Sequence, residues 1–150
     1  GMFGGWTAAL LLQAVVRDER VTGLPSATTV HYVNRIPPGS DVQVQVSRVG
    51  GGRSISHWQS QLRIADQPDV MAYASVVVAS RKITDGFTEC TMPAAPHSEQ
   101  LERFAPPGTF GDSTLIRPIT GFPPFRQPDT MSLAWVRDQS GRPLDAVQLN

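Results

Sequence analysis

The segment 6–17, with the sequence WTAALLLQAVVR, constrains the fold most, because it is apolar nearly all round and contains no glycine or proline. Alanine, leucine and glutamine favour helix, so the segment predicts an α-helix. A helix without a polar face is buried rather than laid on a surface. The small residues Ala8, Ala9 and Ala14 allow a sheet to approach closely. We therefore expect one long helix buried against a sheet.

The same segment is too short to cross a membrane. Its longest apolar run, 8–16, is interrupted by Gln13, and a membrane helix needs about 20 apolar residues. It also lacks the basic start and the cleavage site of a signal peptide. We expect no membrane partner.

Four strands are predicted after the helix, at 27–36, 41–49, 53–65 and 70–80. The second alternates valine with polar residues from Val42 to Val46, which is typical of a half-buried antiparallel strand. The fourth is apolar on both faces, so we expect it at the centre of the sheet. The turns between the strands are short, which disfavours parallel pairing because parallel strands need a long crossover.

The third predicted strand changes phase. Ile55 is odd-numbered, whereas Trp58 and Leu62 are even-numbered. A β-bulge places an extra residue in one strand and would explain the change. We expect such a bulge near Ser56 or His57.

The composition changes after residue 83, where prolines become frequent. We expect residues 2–83 to form the core, with one helix and four strands, and 84–113 to form a linker that holds a short helix at 98–104. Two further segments, 115–121 and 131–138, predict a second strand pair. We expect the region 114–150 to complete the sheet of the core, in the same chain or in a partner.

Several short motifs occur in a recognisable order. They are Gly4-Gly5, Val30-His31-Tyr32, Gly52-Arg53-Ser54, the MAYAS run at 71–75, the TMPAAP run at 91–96 and the AWVR run at 134–137. Together they resemble the acyl-CoA thioesterase II (TesB-like) family of double hot-dog proteins. The resemblance implies an α+β hot-dog fold, in which a curved antiparallel β-sheet wraps around one long buried helix. It also implies an acyl-CoA ligand, which such enzymes hydrolyse to the free acid and CoA.

Compared with that family, the chain is expected to be truncated at both ends. The family's catalytic aspartate, threonine and glutamine would lie beyond Asn150, so the resemblance implies no catalytic position here. Asp145 lies on the approach to the missing second helix and is not equated with that aspartate. Two functions stay open: an acyl-CoA thioesterase-like hydrolase, inactive or altered in this shortened form, and a non-catalytic acyl-CoA-binding or structural remnant.

The candidate site residues are few. The catalytic candidates are the backbone N–H of Gly5 as an oxyanion donor, His57 and Asp145. Amides at a helix N-terminus can stabilise an oxyanion, which is why Gly5 is included. The substrate-binding candidates are Gly4, Gly5, Trp6, Trp58 and Arg53. Tryptophans are more often core anchors, and an arginine at a strand end is more often merely solvated.

Charge and cysteine content narrow the partners. Lys plus Arg and Asp plus Glu are 13 each, so the formal net charge is zero and no basic field attracts nucleic acid. The three histidines lack metal-ligand spacing, and we expect neither a metal nor a cofactor. Cys90 is the only cysteine, which favours a reducing, cytoplasmic location. We expect an acyl-CoA-type ligand and a homodimer that mimics a double hot dog.

Overall fold

The computed structural model describes residues 2–83, 85–105, 108–121 and 130–141. The chain divides into two compact units, the first ending at Asp85 and the second beginning at Gly86. The candidate Asp145 lies outside the described residues, as do residues 122–129 and 142–150 of the predicted 114–150 region.

The first unit opens with helix α1, Gly4–Val16, which confirms the predicted helix and starts it two residues earlier. Its buried side chains recur at the spacing of one helix face; they are Thr7, Ala8, Leu11, Leu12 and Val15. Trp6 and Val16 are 53% and 41% exposed, so the other face of the helix is partly exposed although it is apolar. The helix therefore packs on the sheet through one face.

Four antiparallel strands follow: β1 (Leu24–Tyr32), β2 (Val42–Gly51), β3 (Ile55–Ile64) and β4 (Val70–Ala79). Their order in the sheet is β1-β4-β3-β2, so the predicted central position of β4 is confirmed. The alternating burial predicted for β2 is also present, with Val42, Val44 and Val46 half-buried and the residues between them exposed.

Strand β3 keeps a single alternation along its length. Trp58, Ser60 and Leu62 are buried, whereas Ile55 is 50% exposed. The phase change that suggested a bulge near Ser56 does not exist, because Ile55 does not belong to the core. The predicted bulge in β3 is wrong.

The irregularity lies in the neighbouring strand instead. Arg48 pairs with Trp58 and Gly50 pairs with His57, so Val49 is the extra residue of β2. Val49 is 68% exposed, and the preceding odd-numbered residues of β2 are exposed as well. A bulge also increases the local twist of the strand that leads into the β2–β3 turn.

The core of this unit lies between α1 and one face of the sheet. Its largest fully buried side chain is Trp58, and Leu11, Leu12, Leu62 and Val76 lie in the same cluster. Burying one such aliphatic side chain contributes about 1.5–3 kcal/mol. The chain before the helix is fixed as well, since the Met2 N–H donates to the Ile36 carbonyl at 3.0 Å.

The second unit contains one turn of 3-10 helix (Ser98–Gln100), helix α2 (Thr109–Ser113) and strands β5 (Thr114–Thr120) and β6 (Leu133–Asp138). β5 and β6 pair antiparallel in a two-stranded sheet. The predicted short helix at 98–104 is therefore limited to a single turn.

The proline-rich segment predicted as a linker packs onto this small sheet. Phe104 forms an isolated antiparallel bridge with Ile116, and the Trp135 Nε1–H donates to the Pro96 carbonyl at 2.9 Å. Much of the segment is thus part of the second unit.

The described residues form two sheets, one of four strands and one of two. The expectation that the region 114–150 completes the four-stranded sheet, in the same chain or in a partner, stays a prediction.

Candidate functional site

The first turn of α1 presents unused backbone amides. Gly4, Gly5 and Trp6 are its first three residues, and N–H groups at these positions have no acceptor within a helix. The first helical hydrogen bond runs from the Thr7 N–H to the Phe3 carbonyl at 3.1 Å, and no side chain caps the helix. The helix dipole adds a partial positive charge at this end. The first turn can therefore stabilise a negatively charged oxygen.

Aromatic side chains lie beside the two glycines of this turn. A Cβ on Gly4 would lie 3.5 Å from the Tyr32 ring, which is ordinary contact, and a Cβ on Gly5 would lie 2.8 Å from Cε1 of Phe3. The Tyr32 hydroxyl donates to the Gly4 carbonyl at 2.8 Å. The end of β1 thus positions the first turn of α1.

The two tryptophans predicted to bind substrate occupy different environments. Trp6 is 53% exposed beside the glycines, whereas Trp58 is 1% exposed within the core. The Trp58 Nε1–H donates to Ser56 Oγ at 2.9 Å, and the Arg20 guanidinium lies 5.3 Å from the centre of its ring. Trp58 is a core residue, and its contact with substrate stays a prediction.

The side-chain catalytic candidates do not join the glycines. His57 is exposed and pairs with Val77 of β4, on the sheet face away from the helix. Tyr32, which contacts Gly4, pairs with Ala72 at the other end of that strand. Five residues of strand span about 17 Å, so His57 is remote from Gly5. Asp145 lies outside the described residues.

A second feature of the first unit is a cleft of about 250 Å³ beside the β2–β3 turn. We call it the arginine cleft; its polar lining consists of Arg20, Thr22, Arg48, Arg53, Ser54 and Ser56. It contains Arg53, one of the predicted substrate-binding residues. The candidates therefore fall into two groups, one at the first turn of α1 and one at the arginine cleft.

Arg20 is held in place by its neighbour Asp18. Its Nε and Nη2 donate to the two carboxylate oxygens of Asp18, at 2.8 and 2.6 Å. These side-chain hydrogen bonds, together with the bond from the Arg20 backbone N–H, lower the pKa of Asp18 from 3.8 to about 2. The same pairing raises the pKa of Arg20.

Sequence reasoning missed Arg20 and Arg48 as site residues. Arg48 and Arg53 stand on either side of the glycine triplet that turns the chain, a pattern that places two arginines at one end of a hairpin. Arg20 also lies over the ring of Trp58, and no local sequence signal indicates this contact with a later strand.

Among the described residues, no group of three or more His, Cys, Asp or Glu side chains could hold a metal ion. Within the same residues, no helix is long and apolar enough to span a membrane.

The antiparallel sheet with one helix packed on it agrees with the hot-dog fold, and a solved hot-dog structure superposes on this chain. The chain belongs to the acyl-CoA thioesterase N-terminal domain family, which matches residues 1–79 of its 150. No curated protein matches it.

Three solved structures illustrate the similarity. A hot-dog protein of unknown function from Alicyclobacillus acidocaldarius is 28% identical, with a TM-score of 0.88 over 99% of this chain and 56% of that one. The tesB protein of Mycobacterium avium subs paratuberculosis is 21% identical, with a TM-score of 0.70 over 98% of this chain and 53% of that one. The acyl-CoA thioesterase II TesB2 of Mycobacterium marinum is 21% identical, with a TM-score of 0.67 over 97% of this chain and 55% of that one. The chain thus spans little more than half the length of these proteins.

Proposed function

We propose that this chain acts on acyl-CoA thioesters, binding the thioester carbonyl at the first turn of α1 and taking part in its hydrolysis to the free acid and CoA. The observation that carries the proposal is the uncapped first turn of α1 in a domain of the acyl-CoA thioesterase family. Gly4 and Gly5 are the first two residues of this turn, and both are partly exposed.

The chemistry explains why amides are useful there. Water adds to the carbonyl carbon, the carbonyl oxygen gains negative charge, and the carbon–sulfur bond then breaks to release CoA as a thiol. A donor aimed at the charged oxygen stabilises the transition state, and losing one such donor costs about 100- to 1,000-fold in rate. The Gly5 N–H and the helix dipole supply this stabilisation.

A general base is the second requirement, because the attacking water must lose a proton. His57 is remote from Gly5, so we propose that the base comes from a second hot-dog unit. A homodimer arranged as a double hot dog is the assembly that would bring such a unit. A cytoplasmic location agrees with the single, exposed thiol of Cys90.

A second candidate function is binding of acyl-CoA without hydrolysis. It is favoured by the distance of His57 from the first turn, which leaves that candidate base unable to reach a carbonyl held at Gly5. Binding without turnover separates this function from the first.

The deciding experiment measures thiol release from short, medium and long acyl-CoAs by the purified chain, with Gly5→Pro and Gly5→Ala as a matched pair. Both variants place the same new Cβ against the ring of Phe3, but only proline removes the N–H, and proline is tolerated in the first helical turn.

We expect turnover in the parent chain, a rate close to it in Gly5→Ala, and a loss of about 100-fold or more in Gly5→Pro. Equal rates in the two variants would refute the role of the Gly5 amide. Saturable acyl-CoA binding with no turnover in the parent chain would favour the non-catalytic function.

A further inference from the structure

We propose that the arginine cleft is a binding site for the phosphate groups of a small-molecule ligand. The site is separate from the first turn of α1, and its existence does not depend on the proposed hydrolysis. The proposal follows from the charge, the order and the free hydrogen-bond donors of the side chains that line the cleft.

Positive charge is in excess at the cleft. Arg20, Arg48 and Arg53 line it, and the carboxylate of Asp18 is paired to the first of them. Three guanidinium groups against one carboxylate leave a local surplus of positive charge, in a chain whose formal net charge is zero. This concentration of arginine suits an anion with more than one negative charge.

Two of the arginines are already ordered. Arg20 is fixed by Asp18 on one side and by the face of Trp58 on the other. Arg48 Nη2 donates to the Gly51 carbonyl at 3.1 Å. A guanidinium carries five N–H donors, so both side chains keep donors for a ligand and lose little conformational freedom on binding it.

Arg53 differs from these two, since within the described residues it has no hydrogen-bond or ion-pair partner. Ser56 supplies a further donor. Its Oγ accepts the hydrogen bond from Trp58 Nε1, so its own O–H can point to a ligand. A planar fork that lacks a partner, next to a free hydroxyl, is the arrangement that binds phosphate through charge-assisted hydrogen bonds.

The neighbouring chain extends the positive surface. The Ser80 N–H donates to the Ser54 carbonyl at 2.9 Å, which brings the end of β4 to the rim of the cleft. Arg81 and Lys82 follow directly and are exposed. A ligand with two phosphate groups would find cations beyond the first one.

The size of the cleft selects a small anion. A volume of about 250 Å³ holds a phosphate group and part of its carrier, whereas a nucleic acid needs a long basic stripe along its backbone. Two sources share this chemistry: the nucleotide end of CoA, which rests on the proposed function, and a free phosphorylated metabolite or inorganic phosphate.

The test is calorimetric titration at constant ionic strength with CoA, adenosine 3′,5′-bisphosphate and inorganic phosphate. The variants are Arg53→Gln and, as a control of equal charge change, Arg35→Gln. Arg35 is exposed and follows β1, near the end of the sheet where the Asn34 N–H bonds to Met71, away from the cleft. Circular dichroism confirms that each variant is folded.

We expect saturable binding of adenosine 3′,5′-bisphosphate that weakens with added KCl. Its Kd rises about tenfold or more in Arg53→Gln, the usual value of hydrogen bonds to a charged group, and stays unchanged in Arg35→Gln. If CoA and the bisphosphate bind with similar affinity, and both bind more tightly than inorganic phosphate, the site is assigned to the nucleotide end of CoA. Equal affinity for inorganic phosphate assigns it to any phosphate group.

No saturable binding by the parent chain would overturn the proposal, as would equal weakening in the two variants. Because the readout is binding rather than thiol release, a chain that binds the bisphosphate but does not hydrolyse acyl-CoA upholds this site and contradicts only the hydrolysis.

Discussion

Replacing Gly51 by alanine should lower the free energy of unfolding of the first unit far more than the same change at either neighbouring glycine. Gly51 has φ of +125°, a conformation that costs a side-chain-bearing residue about 1–3 kcal/mol. A Cβ there would lie 2.5 Å from both the Ile55 carbonyl oxygen and Ser56 Cα, which are backbone atoms of β3. Forcing extra volume into packed structure costs about 1–3 kcal/mol more.

The sum is about 2–6 kcal/mol, a large part of the 5–15 kcal/mol by which a domain of this kind is stable. The matched controls are Gly50→Ala and Gly52→Ala, because a Cβ at either position meets nothing within 4 Å. These two substitutions also reduce the freedom of the unfolded chain, which stabilises a protein by about 0.4–1 kcal/mol where the backbone is compatible.

Urea unfolding followed by far-UV circular dichroism measures the difference. With a urea dependence of about 1–3 kcal/mol/M, Gly51→Ala should lower the midpoint by on the order of 1 M, and the two controls should leave it equal or higher. The reasoning is refuted if all three variants unfold at the same midpoint. Phosphate binding by Gly51→Ala tests the same position independently, since the Gly51 carbonyl accepts the hydrogen bond from Arg48 in the arginine cleft.

Two further predictions concern single side chains. Ser60 Oγ is fully buried and has no hydrogen-bond partner among the described residues, so Ser60→Ala should raise the free energy of unfolding by about 1 kcal/mol; Ser47→Ala, on the exposed face of β2, is the control, and a destabilised Ser60→Ala chain would contradict the prediction. The pKa of Asp18 is lowered from 3.8 to about 2 in the folded chain, so its ion pair stabilises the fold above pH 4 and that stability is lost as the pH falls from about 4 to about 2. In Arg20→Gln, the pKa of Asp18 followed by NMR titration should return towards 3.8. A pKa that stays as low as in the parent chain would exclude Arg20 as the cause.

The elements with strong local patterns could be predicted from the sequence. The run from Leu10 to Leu12 within an uninterrupted apolar segment indicated α1, and the alternation from Val42 to Val46 indicated β2. The bulge could not be placed, because Ile55 is apolar but lies at the end of the sheet, opposite Ala79, where it is half exposed. Hydrophobicity alone does not tell which of two paired strands carries an extra residue.

The two groups of site residues differ in the same way. Gly4 and Gly5 adjoin the helix in sequence, so their place at its first turn follows from the helix itself. Arg20 is held by the nearby Asp18 but also lies over Trp58 of a later strand. Contacts between elements distant in sequence depend on strand order and register, which short motifs do not encode.

The length of α1 fixes the distance between the two groups of site residues in the first unit. Thirteen residues of helix span about 20 Å, with the open amides of Gly4 and Gly5 at one end and, just past the other, the turn that carries Arg20 to the cleft. A ligand that engages both ends must be extended and at least about that long. A short thioester lacking a distant phosphate would occupy one end only. The length of the helix would therefore favour binding of thioesters long enough to contact both ends.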